Sequence, residues 1–281
     1  MRSCTENIYR QKANQVIDHI SANLHKPLQL DTLANQINVS QRQLLRIMRL
    51  SLNESLYSYV ARQRIERAVL YMQTEEMSLM KLAEMAGYDN PQSFSKAFKK
   101  QTGISPKAYM DELQDRLAGY VKNSGNKHNH LQSEVCEEGD LELVYIRIIG
   151  KYGEDEPYET AWNKLICFLK DKQALSKETR FIGISFDDPH VTKSAYCRFY
   201  ACASVEKKIV PTGAFGAIQL RKGKYAVYTL KGSYSGLQEL YNHISVNFDY
   251  SLRRGMAFEE YIRCSEENRK EPVTKIYIPV K

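Results

Sequence analysis

One short pattern occurs twice near the start of this chain, about fifty residues apart, and it constrains the fold of the first half more than any other feature. The first copy runs from Leu33-Ala34 through Ile37-Asn38 to Ser40-Gln41-Arg42-Gln43-Leu44-Leu45-Arg46. The second runs from Leu82-Ala83 through Ala86-Gly87 to Asn90-Pro91-Gln92-Ser93-Phe94-Ser95-Lys96-Ala97-Phe98-Lys99-Lys100. Each reads as a short helix with a small residue facing its partner, a tight turn, and a capped second helix with a polar, basic outer face. That arrangement lays a helix in the major groove of DNA.

At 281 residues the chain is long enough for two domains, each with its own core. No long apolar run is present, which predicts no membrane span. The opening Met1-Arg2-Ser3-Cys4-Thr5-Glu6 lacks the apolar stretch of a signal peptide, which predicts a cytoplasmic protein. The six cysteines, at 4, 136, 167, 197, 202 and 264, form no Cys-x-x-Cys pair and no zinc-finger spacing. Reduced, mostly buried thiols are expected, with no metal site and no cofactor. A net charge of +7 says little by itself, but its placement says more. From Ser40 to Tyr109 eleven Lys or Arg stand against six Asp or Glu. Arg42, Arg46, Arg49, Lys96, Lys99 and Lys100 all fall on the two candidate recognition helices. One basic helix reads equally well as a solvated face; two at matching positions favour nucleic acid.

Apolar periodicity makes roughly residues 1–118 helical. Val16, Ile17, Ile20 and Leu24 give a first amphipathic helix, and Leu56, Val60, Ile65, Ala68, Val69 and Met72 a longer one between the motifs. Ser40-x-x-Gln43 suits a capping box, Asn90-Pro91 an N-cap and first helical position, Thr102-Gly103 a stop and Ser105-Pro106 a restart. Superposing the recognition helices pairs Leu44 with Phe94, Ile47 with Ala97 and Met48 with Phe98 as the buried side. The outer face then pairs Arg42 with Gln92, Gln43 with Ser93, Arg46 with Lys96 and Arg49 with Lys99, with Ser40 at the first cap. Arg bonds a guanine edge in two places and Gln an adenine edge, so Arg42, Arg46 and Gln92 are the expected base readers. Lys96, Lys99 and Lys100 are the expected phosphate contacts. A connecting helix from about Asn53 to Met72 would span roughly 28 Å, close to the ~34 Å between major-groove openings on one side of the duplex. One chain could then fill two grooves; the alternative is that one motif binds while the other only packs.

These residues resemble the AraC/XylS family of bacterial transcription regulators. Gly87-Tyr88-Asp89-Asn90-Pro91-Gln92-Ser93-Phe94-Ser95 through Gly103-Ile104-Ser105-Pro106-Lys107-Ala108-Tyr109 is similar to the family signature almost throughout, and the likeness covers about residues 8–112. It implies a helical domain with two helix-turn-helix units joined by a long helix, bound to an asymmetric element of double-stranded promoter DNA, with RNA polymerase as a further partner.

From 119 to 140 the chain is polar, broken by Gly125 and Gly139, and reads as a linker. Lys127-His128-Asn129-His130 within it lacks a third ligand and reads as solvated. Residues 141–281 then turn to strands rich in Tyr, Val and Ile. Here too the sequence repeats: Gly150-x-Tyr152 and Gly232-x-Tyr234, 82 residues apart, each end a strand and precede an amphipathic helix. The first helical stripe carries Trp162, Leu165, Ile166 and Leu169, the second Leu237, Leu240, Tyr241, Ile244 and Phe248. Two further strands follow each helix, at 181–186 and 197–205, then at 257–263 and 273–280. The expected fold class is multidomain: an all-α double helix-turn-helix domain, then an α+β domain of two β-α-β-β halves with a ligand groove between them. In Phe258-Glu259-Glu260-Tyr261-Ile262 alternation forces one glutamate to share a face with large apolar groups, which is costly unless it is paired. A carboxylate among aromatics suits a cationic, apolar molecule. The plainer alternative is an edge strand with both glutamates in water.

The second segment resembles the GyrI-like effector-binding domain. The likeness rests on Tyr145-Ile146-Arg147 to Gly150-x-Tyr152, Ala161-Trp162, Ser185-Phe186-Asp187-Asp188-Pro189, Gly223-Lys224-Tyr225-Ala226-Val227, Gly232-x-Tyr234, Phe258-Glu259-x-Tyr261 and Ile276-Tyr277-Ile278-Pro279-Val280. It implies a small-molecule effector held by a pocket glutamate at Glu259, with Tyr261, Trp162, Tyr145 and Tyr228 as its aromatic neighbours. Asp187-Asp188-Pro189 itself reads as a turn. Catalysis is the contrasting function: some GyrI-like proteins resemble hydrolases of strained electrophiles, with Glu259 then a general base. The sequence holds no nucleophile-base pair or phosphate loop to favour it, and a C-terminal module that contacts protein is a third reading.

Overall fold

The computed structural model describes residues 2–113, 115, 133–153, 155–262 and 271–281. The first half is helical: α1 (Arg2–Ala22), α2 (Leu30–Gln36), α3 (Gln41–Leu52), α4 (Leu56–Thr74), α5 (Leu79–Met85), α6 (Pro91–Thr102) and α7 (Pro106–Asp111). Side-chain caps place most of the starts. Ser40, Ser55, Ser78, Asn90 and Ser105 each accept the backbone N–H of the residue three positions on, satisfying a donor that the first helical turn leaves open. The two motif turns need left-handed backbone, met by Asn38 (φ 51°) in the first and Gly87 (φ 86°) in the second. At Gly87 a Cβ would stand 2.5 Å from the Leu24 carbonyl oxygen, so the second turn also requires the missing side chain.

Each helix-turn-helix unit has its own core. Leu44, Ile47 and Met48 of α3 pack with Val16, Ile17 and Ile20 of α1 and with Leu33 and Ala34 of α2. Phe94 and Phe98 of α6 pack with Leu82, Ala83, Ala86 and Tyr109. Helix α4 belongs to both: Leu56, Tyr59 and Val60 complete the first core, Ile65, Ala68 and Val69 the second. Its 19 residues make it roughly 28 Å long.

The second half contains β1 (Ser133–Glu138), β2 (Leu141–Ile149), α8 (Asp155–Asp171), β3 (Phe181–Ser185), β4 (Arg198–Ser204), β5 (Phe215–Leu220), β6 (Gly223–Lys231), α9 (Leu237–Val246), β7 (Phe258–Ile262) and β8 (Val273–Pro279). The strands form one sheet in the order β1-β6-β8-β7-β3-β4-β2-β5, antiparallel at every pairing. Exchanging β1–β4 for β5–β8 maps this order onto itself, so a pseudo-twofold axis passes between β3 and β7. Helices α8 and α9 cover one face, over Ile146 and Ala201 on one side and Ala226 and Ile276 on the other. The opposite face carries Tyr145, Ile182, Tyr200, Phe258 and Tyr277.

Two strands were not anticipated. Each half is β-β-α-β-β rather than β-α-β-β, and its extra leading strand crosses to the other half: β1 pairs with β6, and β5 with β2. Strand β1 lies inside the 119–140 stretch read as linker, and it pairs along its whole length from Ser133↔Tyr228 to Glu138↔Gly223. An edge strand with one side in water tolerates glutamates such as Glu134 and Glu137, which is why it has no apolar signature. The 118 boundary and Lys127-His128-Asn129-His130 lie outside the described residues. Cys136, Cys167, Cys197 and Cys202 are not joined in disulfides; Cys197 and Cys202 are buried and Cys167 exposed.

The helical domain docks on the sheet face opposite α8 and α9. Tyr145 donates to Asp18 Oδ1 (2.7 Å), Arg147 to Asn14 Oδ1 (2.6 Å), and Arg198 to the Tyr59 hydroxyl (3.1 Å). Asp187, read as part of a turn, is in fact a buried hub. It accepts from Arg62 (3.0 Å) and Gln63 (2.9 Å) of α4, and from the Arg198 backbone N–H (2.7 Å) and guanidinium (2.9 and 3.1 Å). Burial alone would raise the Asp187 carboxyl; Arg198 and Arg62 hold it below the usual carboxylate range.

Candidate functional site

The outer faces of the recognition helices stay open while the two domains are docked. Ser40, Arg42, Arg46 and Arg49 are exposed at α3, as are Gln92, Ser93, Lys96, Lys99 and Lys100 at α6. Gln43 is half-buried, and its amide donates to the Tyr9 hydroxyl (3.4 Å), so α1 orients it. Only half of the anticipated capping box forms: Ser40 Oγ accepts the Gln43 N–H (3.2 Å). The apolar sides of both helices point inward, with Leu44, Ile47, Met48, Phe94 and Phe98 buried, and Ala97 half-buried. This geometry offers cations and amides to a groove or phosphate backbone and holds each helix from behind.

Glu259 lies on β7, directly opposite Gly183 of β3, at the pseudo-twofold axis. Its side chain is on the helix-covered face, where it accepts from the hydroxyls of Tyr241 (3.0 Å) and Tyr261. Trp162 from α8 meets the Tyr261 ring edge-on with centroids 5.5 Å apart, and Tyr234 meets it likewise at 5.5 Å. The cluster therefore sits between α8 and α9. Gly183 leaves the space it needs: a Cβ there would stand 2.5 Å from the Tyr261 hydroxyl and 2.7 Å from the Phe199 ring.

Alternation had left two glutamates to be explained. Both are buried, Glu259 at 5% and Glu260 at 8% exposure, because β7 is a central strand rather than an edge. Glu260 points to the other face, where Arg180 (2.7 and 2.9 Å) and Tyr277 (2.8 Å) donate to it. Burial would raise the Glu260 carboxyl, yet these donors hold it below the usual range. Glu259 differs: burial pushes its carboxyl up, and the two tyrosyl hydrogen bonds offset only part of that. A buried carboxylate held by neutral hydroxyls gains from an incoming positive charge.

Of the anticipated pocket aromatics, Tyr261 and Trp162 join Glu259. Tyr145 does not: it lies on the opposite face, stacked on Tyr200 (centroids 4.2 Å) and bonded to Asp18. The pleat puts Tyr145 and Ile146 on different faces, and Ile146 is the one on the Glu259 side. Tyr228 shares the face but stands two strands away, with Ile276 between it and Glu259. Tyr241 and Tyr234 complete the cluster and were missed. Tyr241 read as one more apolar position of its helical stripe, and Tyr234 as a strand end.

Comparison with known proteins follows this division. Residues 33–112 match a helix-turn-helix domain family, and residues 131–281 match the family described as the GyrI-like small molecule binding domain. The HTH-type transcriptional regulator GbdR of Pseudomonas aeruginosa is 33% identical over 108 residues, which are 38% of this chain and 29% of GbdR. The Msm operon regulatory protein of Streptococcus mutans is 29% identical over 102 residues, 36% of this chain and 37% of that protein. The chain thus spans well under half the length of these curated relatives. The crystal structure of the AdpA DNA-binding domain in complex with a target DNA is 25% identical, covers 37% of this chain and 94% of that one, and has a TM-score of 0.36. Among the described residues no helix is long and apolar enough to cross a membrane. With its second domain matched over more than half the sequence and a helix-turn-helix domain matched before it, the chain belongs to the GyrI-like small molecule binding family.

Proposed function

We propose that the protein is a one-component transcription regulator that reads promoter DNA with α3 and α6 and binds an amphipathic cation over Glu259. The observation that carries this reading is the buried carboxylate between α8 and α9, capped by hydroxyls and walled by Trp162, Tyr261 and Tyr234. A lipophilic cation would replace lost hydration with charge and ring-face contacts. Arg42, Arg46 and Gln92 are the proposed base readers, with Gln43, Arg49 and Ser93 beside them; Ser40, Lys96, Lys99 and Lys100 would anchor phosphates. RNA polymerase is the proposed partner at the promoter, and the cytoplasm the proposed place of action. Charge recognition fits the pocket better than catalysis, because both Glu259 oxygens already accept a tyrosyl hydroxyl.

The test is selection of genomic DNA by the purified protein, with and without a panel of lipophilic cations. Enrichment of one asymmetric site of roughly 20 base pairs bound by a monomer is expected. Salt-sensitive binding to any duplex, with no enriched site, would refute the reading of two engaged recognition helices.

A further inference from the structure

The effector domain leaves the recognition faces exposed while docked, so it does not act by covering them. What it does hold is the helix that spaces them. Strand β3 carries Gly183, opposite Glu259 and against the Tyr261 hydroxyl, and reaches Asp187 four residues later. Asp187 is buried against Arg62 and Gln63 of α4, and Arg62 is held in turn by Glu54 (2.7 Å). In the same loop the Asp188 N–H (3.3 Å) and the Thr192 hydroxyl both donate to Glu66, also on α4. Strand β7 makes the second attachment. Five residues before Glu259, Arg254 donates to both carboxylate oxygens of Glu75 at the α4 C-cap and lies over the Tyr71 ring (4.6 Å).

The two strands that pair at Gly183 and Glu259 therefore run, at the same end of the sheet, into two grips on one helix. The grips at Arg62 and Glu75 are roughly 20 Å apart along α4. The two ends of α4 lie in the cores of the two helix-turn-helix units, so a shift of α4 changes how those units sit relative to each other. Tyr152 supplies a shorter link, since its hydroxyl accepts the Asp187 N–H (3.2 Å) and it lies close enough to Tyr241 to oppose that residue's ionisation.

We propose that α4 is the element through which an occupied Glu259 pocket alters DNA reading, with Asp187 and Arg254 as its attachment points. This rests on the pocket reading above. A cation entering among Trp162, Tyr241 and Tyr261 must part side chains that now touch one another, which displaces the Glu259–Gly183 pair; β3 and β7 transmit the displacement, and α4 resets the spacing of α3 and α6. Asp187 and Arg254 are positioning residues that touch neither effector nor DNA.

The experiment uses the full chain, a duplex that the protein itself enriches from a random pool, and tetraphenylphosphonium as the probe cation. Fluorescence of Trp162, the single tryptophan, reports probe affinity, and a DNA titration with and without saturating probe gives the coupling factor. Wild type should show a factor of about five or more, equal in both directions, because binding linkage is reciprocal. Asp187→Asn and the milder, partly exposed Arg254→Ala should each bring the factor towards one, with probe affinity and probe-free DNA affinity each within about twofold of wild type. Both variants keeping the full factor would overturn the proposal. Probe binding to wild type without any change in DNA affinity would overturn it while leaving the pocket reading intact. No probe binding to wild type would overturn both.

Discussion

Replacing Glu66 with Gln should make the protein more stable as pH rises. Glu66 sits on α4 under the Asp187–Thr192 loop, accepting from the Asp188 N–H and the Thr192 hydroxyl. Burial, with a further push from the Asp187 and Asp188 charges, raises its carboxyl to about 8 against the pull of those two hydrogen bonds. The unfolded chain loses this proton near 4.5, while the folded chain keeps it until about 8. Between those values the folded state holds more protons, so stability falls as pH rises through the window and is complete only below it. At 1.36 kcal/mol per pH unit the ceiling on that loss is about 5 kcal/mol. Glutamine cannot ionise; its one oxygen accepts the Asp188 N–H while its amide NH2 donates to the Thr192 hydroxyl, which can turn to accept. Urea unfolding of wild type and Glu66→Gln, followed from pH 4 to 9 by tryptophan fluorescence and circular dichroism, should give curves that coincide at the acid end. Above about pH 8 the variant should lead by a few kcal/mol. Curves that run parallel across the whole range would refute the claim that this carboxylate is buried at a cost.

Glu259→Gln should weaken tetraphenylphosphonium at least about tenfold in the Trp162 titration, the scale of removing one buried countercharge, with an uncharged triphenylphosphine oxide changing far less. Gly183→Ala should cost about 1–3 kcal/mol, since the added methyl lands on the Tyr261 hydroxyl and Phe199; thermal unfolding measures it, and an unshifted midpoint would mean the contact has slack. Arg46→Ala should lower affinity for the selected duplex by about 1–3 kcal/mol while affinity for random duplex changes little, whereas Lys99→Ala should lower both and flatten the salt dependence. Equal losses for the two variants in filter-binding or anisotropy titrations would sink the division between base readers and phosphate anchors.

The parts that were readable in advance are those whose causes are local. Ser40, Asn90 and Ser105 announce helix starts because a cap needs only a hydrogen bond to the N–H three residues on. The Leu44/Phe94 and Met48/Phe98 pairing works because helical spacing alone decides which side is buried. Whatever depends on strand pairing was hidden. Tyr145 could be assigned to neither face until β2 was registered against β4 and β5. β1 was lost among glutamates because its partner is nearly a hundred residues further on. Asp187 looked like a turn because its α4 partners lie 124 and 125 residues away. The conflict of a polar group in an apolar strand drew attention to Glu259 and Glu260 together, and only the likeness to the GyrI-like domain chose between them, whereas Tyr241 caused no such conflict and passed as core.

The crossing of β1 and β5 makes the second domain a swapped pair written on one chain. Each half contributes a contiguous β3-β4-β2 or β7-β8-β6 trio and lends its own first strand to close the other half's edge. Exchange of an identical element is a low-cost route to dimers, and either half alone would lack the strand that closes its edge. Within one chain that symmetry is turned inward and the two halves differ at the axis: Glu259 on one side, Gly183 on the other. A symmetric dimer would place two carboxylates or two glycines there. Only the lopsided form sets one charge beside one position without a side chain, where the Tyr261 hydroxyl fits.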